Sequence, residues 1–177
     1  MRKLFGFALT VSLIAGISAP KAEEFSYSDR SRTGTFTSGA AFGFTLDPDL
    51  FLFGVEGDYF VHHNIAVGPM VQFGMDDDVF LLSPTANVRG VFDLPTYGFG
   101  RRIKPFGQFG VGFSYVDVDA GPFNGDDTSF LINFGFGADV YLTTNIVLGT
   151  NVLFNITPNF NDNFYFAWQF ITARYHF

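Results

Sequence analysis

The side chains able to do chemistry in this chain are few, and they are ionisable rather than nucleophilic. There is no Cys, which removes a thiolate nucleophile, a thiolate metal site and a disulfide scaffold together. His62 and His63 are adjacent, and neighbours on an extended strand point to opposite faces, so they do not share a metal ion and read as a polar turn. Asp76-Asp77-Asp78 and Asp126-Asp127 offer hard oxygen ligands, but no spacing matches a calcium loop, and solvated loop tips are the plainer account. No Ser-His-acid arrangement is well placed, and no Gly-rich phosphate loop precedes a helix. The expectation is a protein without catalytic residues, cofactor or metal. What stands out instead is five charges inside otherwise apolar segments: Glu56, Asp58, Arg89, Asp139 and Arg174. Charges so placed must pair with one another or with trapped water.

The elements that carry them follow from composition and periodicity. Of 177 residues, 47% are hydrophobic and 15% charged, with 26 Phe. That excludes intrinsic disorder and is too apolar for an ordinary soluble domain. The run from Leu4 to Ala19 behind Arg2-Lys3, with a small-residue exit at Ala22, predicts a secretory signal peptide over residues 1–22. Residues 23–33 would form a periplasmic segment and 34–177 one domain. Cleavage removes Arg2, Lys3 and Lys21 and leaves seven basic residues against 17 acidic, a net charge of −10. Nucleic acid, which needs a basic surface, is not an expected partner. No later run is long and apolar enough for a membrane-crossing helix.

The mature chain alternates instead. Phe36, Phe42 and Phe44 share one face of the first segment against Gly39 and Gly43. Phe109, Val111, Phe113 and Tyr115 face away from Gln108, Gly110 and Gly112; Phe130, Ile132, Phe134 and Phe136 face away from Asn133, Gly135 and Gly137. Eight such segments, each with a period of two, predict an all-β fold: an eight-stranded antiparallel up-and-down transmembrane barrel, closed so that every backbone group is satisfied without water. On the first seven segments only Phe60 and Phe106 take the glycine-rich face. A narrow barrel holds small side chains inside, so the Phe face is the lipid face.

Parity then sorts the lumen. Leu52, Met70, Leu81, Leu131 and Leu153 point inward toward the extracellular half; they line a cup for an apolar ligand or simply fill space. Below them Glu56, Asp58, Arg89, Asp139 and Arg174 form a charged floor. With a hairpin tip at Asp76–Asp78, Pro69 and Pro84 lie roughly opposite each other in mid-wall, and because proline donates nothing to a ladder they mark a candidate lateral exit. The connections Leu46–Leu50, Asp76–Asp78, Asp117–Asp127 and Thr157–Asn163 are expected outside the cell; they hold ten acids and no Lys or Arg. The last strand reads two ways: a bulge near Phe170 shifts its phase, or its even aromatics Phe164, Phe166, Trp168 and Phe170 line the upper lumen.

Phe80-Leu81-Leu82-Ser83-Pro84-Thr85-Ala86-Asn87-Val88 and Lys104-Pro105-Phe106-Gly107-Gln108-Phe109-Gly110-Val111-Gly112-Phe113-Ser114-Tyr115 resemble the paired fourth and fifth strands of OmpW-type outer-membrane proteins. The end, Thr172-Ala173-Arg174-Tyr175-His176-Phe177, is similar to the terminal signal of outer-membrane barrels, with Tyr175 and Phe177 as its aromatic positions. The resemblance implies a Gram-negative-type outer-membrane location, contact with outer-membrane lipid and the barrel-assembly machinery, and a hydrophobic lumen that passes small apolar molecules. A plugged structural or adhesion barrel, whose acidic loops bind a partner or surface, is the alternative.

Overall fold

The computed structural model describes residues 31–46, 49–95, 98–120, 123–158 and 164–177; the expected signal peptide over residues 1–22 and most of the expected N-terminal segment over 23–33 lie outside them. Eight strands run in chain order: β1 (Phe36–Leu46), β2 (Leu50–His62), β3 (Ile65–Met75), β4 (Val79–Val91), β5 (Ile103–Ala120), β6 (Phe123–Tyr141), β7 (Ile146–Ile156) and β8 (Phe164–His176). Each is antiparallel to the next, and β8 closes on β1 through pairs from Thr37↔His176 to Leu46↔Phe166. The Phe177 N–H reaches the Phe36 carbonyl at 2.9 Å, so the last residue seals the seam.

The coat is apolar outward. Phe113 and Phe136 are 60% and 59% exposed, while Leu52, Leu131 and Leu153 are wholly buried. Exposing side chains of that size to water forfeits about 1.5–3 kcal/mol apiece, whereas hydrocarbon carries no such cost. Tyr175 and Phe177 belong to this outer surface and meet edge to face at 5.0 Å.

The last strand contains the bulge. Phe170 and Ile171 both face outward, leaving Tyr165, Ala167 and Gln169 inside above them and Thr172, Arg174 and His176 inside below. Against β1 the pairing jumps from Phe42↔Ile171 to Phe44↔Trp168, and against β7 from Gly149↔Thr172 to Asn151↔Gln169. Gly43 faces the bulge: a Cβ there would sit on the Trp168 carbonyl and 2.8 Å from Gln169 Cα. Thr150 holds it from the other side, accepting from Trp168 Nε1 at 2.9 Å and donating to the Gln169 carbonyl at 3.1 Å. The even aromatics of β8 therefore face lipid, not the upper lumen.

Two connections differ from the sequence reading. Leu50, expected in a loop, begins β2 and is buried. Asp117–Asp127, expected as an irregular loop, is mostly paired strand, with Asp117↔Asp126 and Val118↔Gly125 in register. Alternating Tyr115, Val116, Asp117 and Val118 supports a ladder even where acids face each other. The β5–β6 hairpin consequently has strands of 18 and 19 residues where the others have 11 to 13.

Candidate functional site

The lumen is built in layers, ordered by the register of the strands that line it. At the mouth bounded by the β2–β3 and β4–β5 connections, Asp93 follows β4 and gathers four donors. Arg32 Nη2 and His63 Nε2 each lie 2.9 Å from its Oδ2, Asn64 Nδ2 is 3.0 Å from the same oxygen, and Lys104 Nζ is 2.6 Å from Oδ1. Arg32 also donates to the His63 carbonyl at 2.8 Å and stacks 5.6 Å over the Phe60 ring. It is buried, although it precedes the first strand. Sequence reasoning missed this latch, because its partners lie far apart in the chain and in turns that carry no period.

Partial burial raises the Asp93 carboxyl, but the Lys104 hydrogen bond and the Arg32 charge outweigh it and hold the pKa at about 2. A depressed carboxyl pKa contributes stability above the unfolded value of ~3.9, lost as pH falls through the folded one. The latch is thus expected to stay closed from neutral pH down to pH 4 and to open only near pH 2. At neutral pH, Asp93→Asn should free the N-terminal segment, read as faster tryptic cleavage after Arg32; unchanged cleavage would refute the latch.

Above this lie Phe60, Ala66, Val91 and Phe106, one buried cluster. The five lumen charges come together on it. Asp58 pairs with Arg89 Nη1 at 2.7 Å, Arg89 Nη2 pairs with Glu56 at 2.8 Å, and Arg174 bridges Glu56 and Asp139. The chain Asp58–Arg89–Glu56–Arg174–Asp139 spans strands from opposite walls, each side chain no more than 6% exposed. Both guanidinium groups lie over the Phe106 ring, at 4.6 and 5.4 Å. One aromatic ring thus supports two cations held by three carboxylates.

Amides form the next layer. Asn151 donates to Gln108 at 3.1 Å and to Gln169 at 3.3 Å, and Asn87 donates to Thr85 at 2.9 Å. Leu52, Met70 and Leu153 then pack with Ala167, while Leu81 and Leu131 pack with Leu50 and Tyr165. The five leucine and methionine positions therefore divide between two clusters, and all are at most 3% exposed. The Tyr165 hydroxyl ties this upper layer to Ser83 at 3.3 Å, and Ser83 to Ser114 at 2.9 Å. Leu50 and Tyr165 are not legible in the sequence, the first because the Asp-Pro-Asp run before it reads as a loop, the second because the bulge hides the phase of β8.

The prolines are diagonal neighbours, two positions from a direct pair. Pro69 pairs with Ala86 and Pro84 with Val71, because the turn is centred between Asp77 and Asp78, one residue beyond the centre between Asp76 and Asp77 that would set the prolines face to face. The β3–β4 ladder is unbroken in register across both. Their outer neighbours are where pairing lapses: β2–β3 has no pairs between Glu56↔Met70 and Tyr59↔Val67, nor β4–β5 between Leu82↔Tyr115 and Thr85↔Gly112. Each proline turns its missing donor away from the other. A shallow groove of about 560 Å³ opens beside Pro69, lined by Val67, Ala86, Val88, Phe109 and Val111.

A closed eight-stranded up-and-down barrel with an aromatic coat and a filled lumen defines the class: a small β-barrel of the outer-membrane type. No protein-family model matches the chain, and no curated protein matches it in sequence. Solved structures share the fold. Neisserial surface protein A superposes with a TM-score of 0.66 at 17% identity, over 82% of this chain and 98% of that one. The N-terminal barrel domain of Pseudomonas aeruginosa OprF gives 0.63 at 15%, with the same coverage. OprG, from the same organism, gives 0.57 at 14%, over 82% of this chain and 96% of that one.

Proposed function

We propose that this protein is an outer-membrane barrel with a closed lumen that acts at its extracellular rim, where acidic turns and the long β5–β6 hairpin meet a partner or a surface. The observation that carries this reading is the filled lumen: two buried apolar layers stand over a salt-bridged floor that links opposite walls. A ligand entering from outside would have to displace both. The rim holds Asp76, Asp77 and Asp78, all exposed, next to a hairpin carrying exposed Asp117, Asp126 and Asp127.

A second reading, a conduit for small hydrophobic molecules with lateral exit into the membrane, is favoured by the lapses in pairing beside Pro69 and Pro84 and by the groove at Pro69. The two separate in liposomes containing the purified barrel. The closed-lumen reading expects uptake of a labelled apolar compound, and ion conductance, no higher than in protein-free liposomes; transport above that background would overturn it in favour of the conduit.

A further inference from the structure

Among the described residues, the β5–β6 hairpin leaves one strand edge without a neighbouring strand. β6 pairs with β5 from Phe123↔Ala120 down to Val140↔Ile103, but its pairing with β7 begins only at Ile132↔Ile156. On the other side β5 is covered by β4 up to Val79↔Val118. Gly125–Thr128 of β6 is therefore a strand edge exposed on the β7 side, among the described residues, and all four positions are exposed. In an antiparallel pair, alternate residues turn their N–H and C=O groups away from the partner strand, so an edge is a template for another strand. The Thr128 N–H takes the side-chain carboxylate of Asp127, at 2.7 Å, an acceptor standing in for a carbonyl.

The chemistry of the edge selects its occupant. Asp126 and Asp127 lie on it, Asp117 faces Asp126 directly across the hairpin, and Lys104 is the only basic residue in β5 or β6, at the opposite end. Like charges directly opposite on a sheet are destabilising, and a cationic neighbour relieves them. A second copy of this chain would set acid against acid. We propose that Gly125–Thr128 is a docking edge for an extended, basic polypeptide segment, added to β6 as a further strand. The edge begins just above the Phe113–Phe130 pair (6.2 Å between rings) that tops the lipid-facing coat of this hairpin, so an incoming strand would lie in water beside the membrane. The proposal rests on the rim-binding reading and names its partner class.

The test uses the full-length protein in phosphatidylcholine nanodiscs and a fluorescent ten-residue peptide of alternating Lys and Val, followed by polarisation against empty nanodiscs. Saturable binding is expected, weakened more than about tenfold by N-methylating alternate peptide nitrogens and about fivefold by Asp126→Asn with Asp127→Asn. A Glu-Val peptide should not bind. No binding of the Lys-Val peptide at millimolar concentration, or equal binding of the N-methylated peptide, would overturn the docking edge. Both results leave the liposome measurement of the closed lumen untouched, so the two readings fail separately.

Discussion

Arg174→Met is expected to prevent stable folding of the barrel. Arg174 alone bridges Glu56 on β2 to Asp139 on β6, and its removal leaves Asp139 without its ion-pair partner and Glu56 with Arg89 only. Stripping one partner from a buried pair costs about 3–5 kcal/mol, because the remaining charge stays desolvated. That is a large part of the stability of a domain this size, commonly about 5–15 kcal/mol. Urea titration in detergent, followed by fluorescence of the only tryptophan, Trp168, reads the loss directly. The triple change Arg174→Met, Glu56→Gln and Asp139→Asn is the informative partner: it removes the stranded charges and leaves Asp58 paired with Arg89, and apolar or neutral replacement of buried ion pairs is often neutral or stabilising. Recovery of most of the lost stability in the triple variant is expected. A single variant as stable as the parent would show that the bridge does not hold the walls together.

Gly43→Val is expected to be as damaging for a different reason. The obstruction is backbone, since a Cβ at this position lands on the Trp168 carbonyl and beside Gln169 Cα, and neither can swing aside as a side chain would. The seam between β1 and β8 must then shift or open, placing the change among the rare substitutions that cost more than about 4 kcal/mol. Failure to acquire the compact, heat-sensitive migration of a folded barrel on a gel would report it. Deleting Phe170 supplies the compensating test. It removes the extra bulge residue, lets Gln169 alone face position 43, and keeps the inward phase of Tyr165 and Ala167. Partial rescue of Gly43→Ala by that deletion is expected; rescue of neither alanine nor valine would mean that the bulge is not what makes position 43 tight.

Much of the barrel was legible in the chain because strand periodicity is local. Alternation of Phe with Gly marked which face meets lipid, and the same parity put Leu52, Met70, Leu81, Leu131 and Leu153 inside, together with Glu56, Asp58, Arg89, Asp139 and Arg174. Where a feature breaks parity, legibility ended. Tyr165 and the outward pair Phe170 and Ile171 could not be sorted, since a bulge adds one residue without leaving a compositional mark. The extent of the β5–β6 hairpin was hidden by its acids, whose usual preference for loops concealed a continuing ladder.

By itself the sequence determined the solvent and the wall: a period of two with phenylalanine on one face admits a closed barrel in lipid and little else. It also selected the residues of the lumen, because parity is a property of neighbours along the chain. Only the tertiary structure decided what those residues do to one another. Whether five inward charges form one chain, whether the leucines leave a passage or fill it, and that Arg32 closes the mouth through Asp93 all depend on the register between strands and on where the turns bring distant residues. Register is set by every turn and bulge around the ring together.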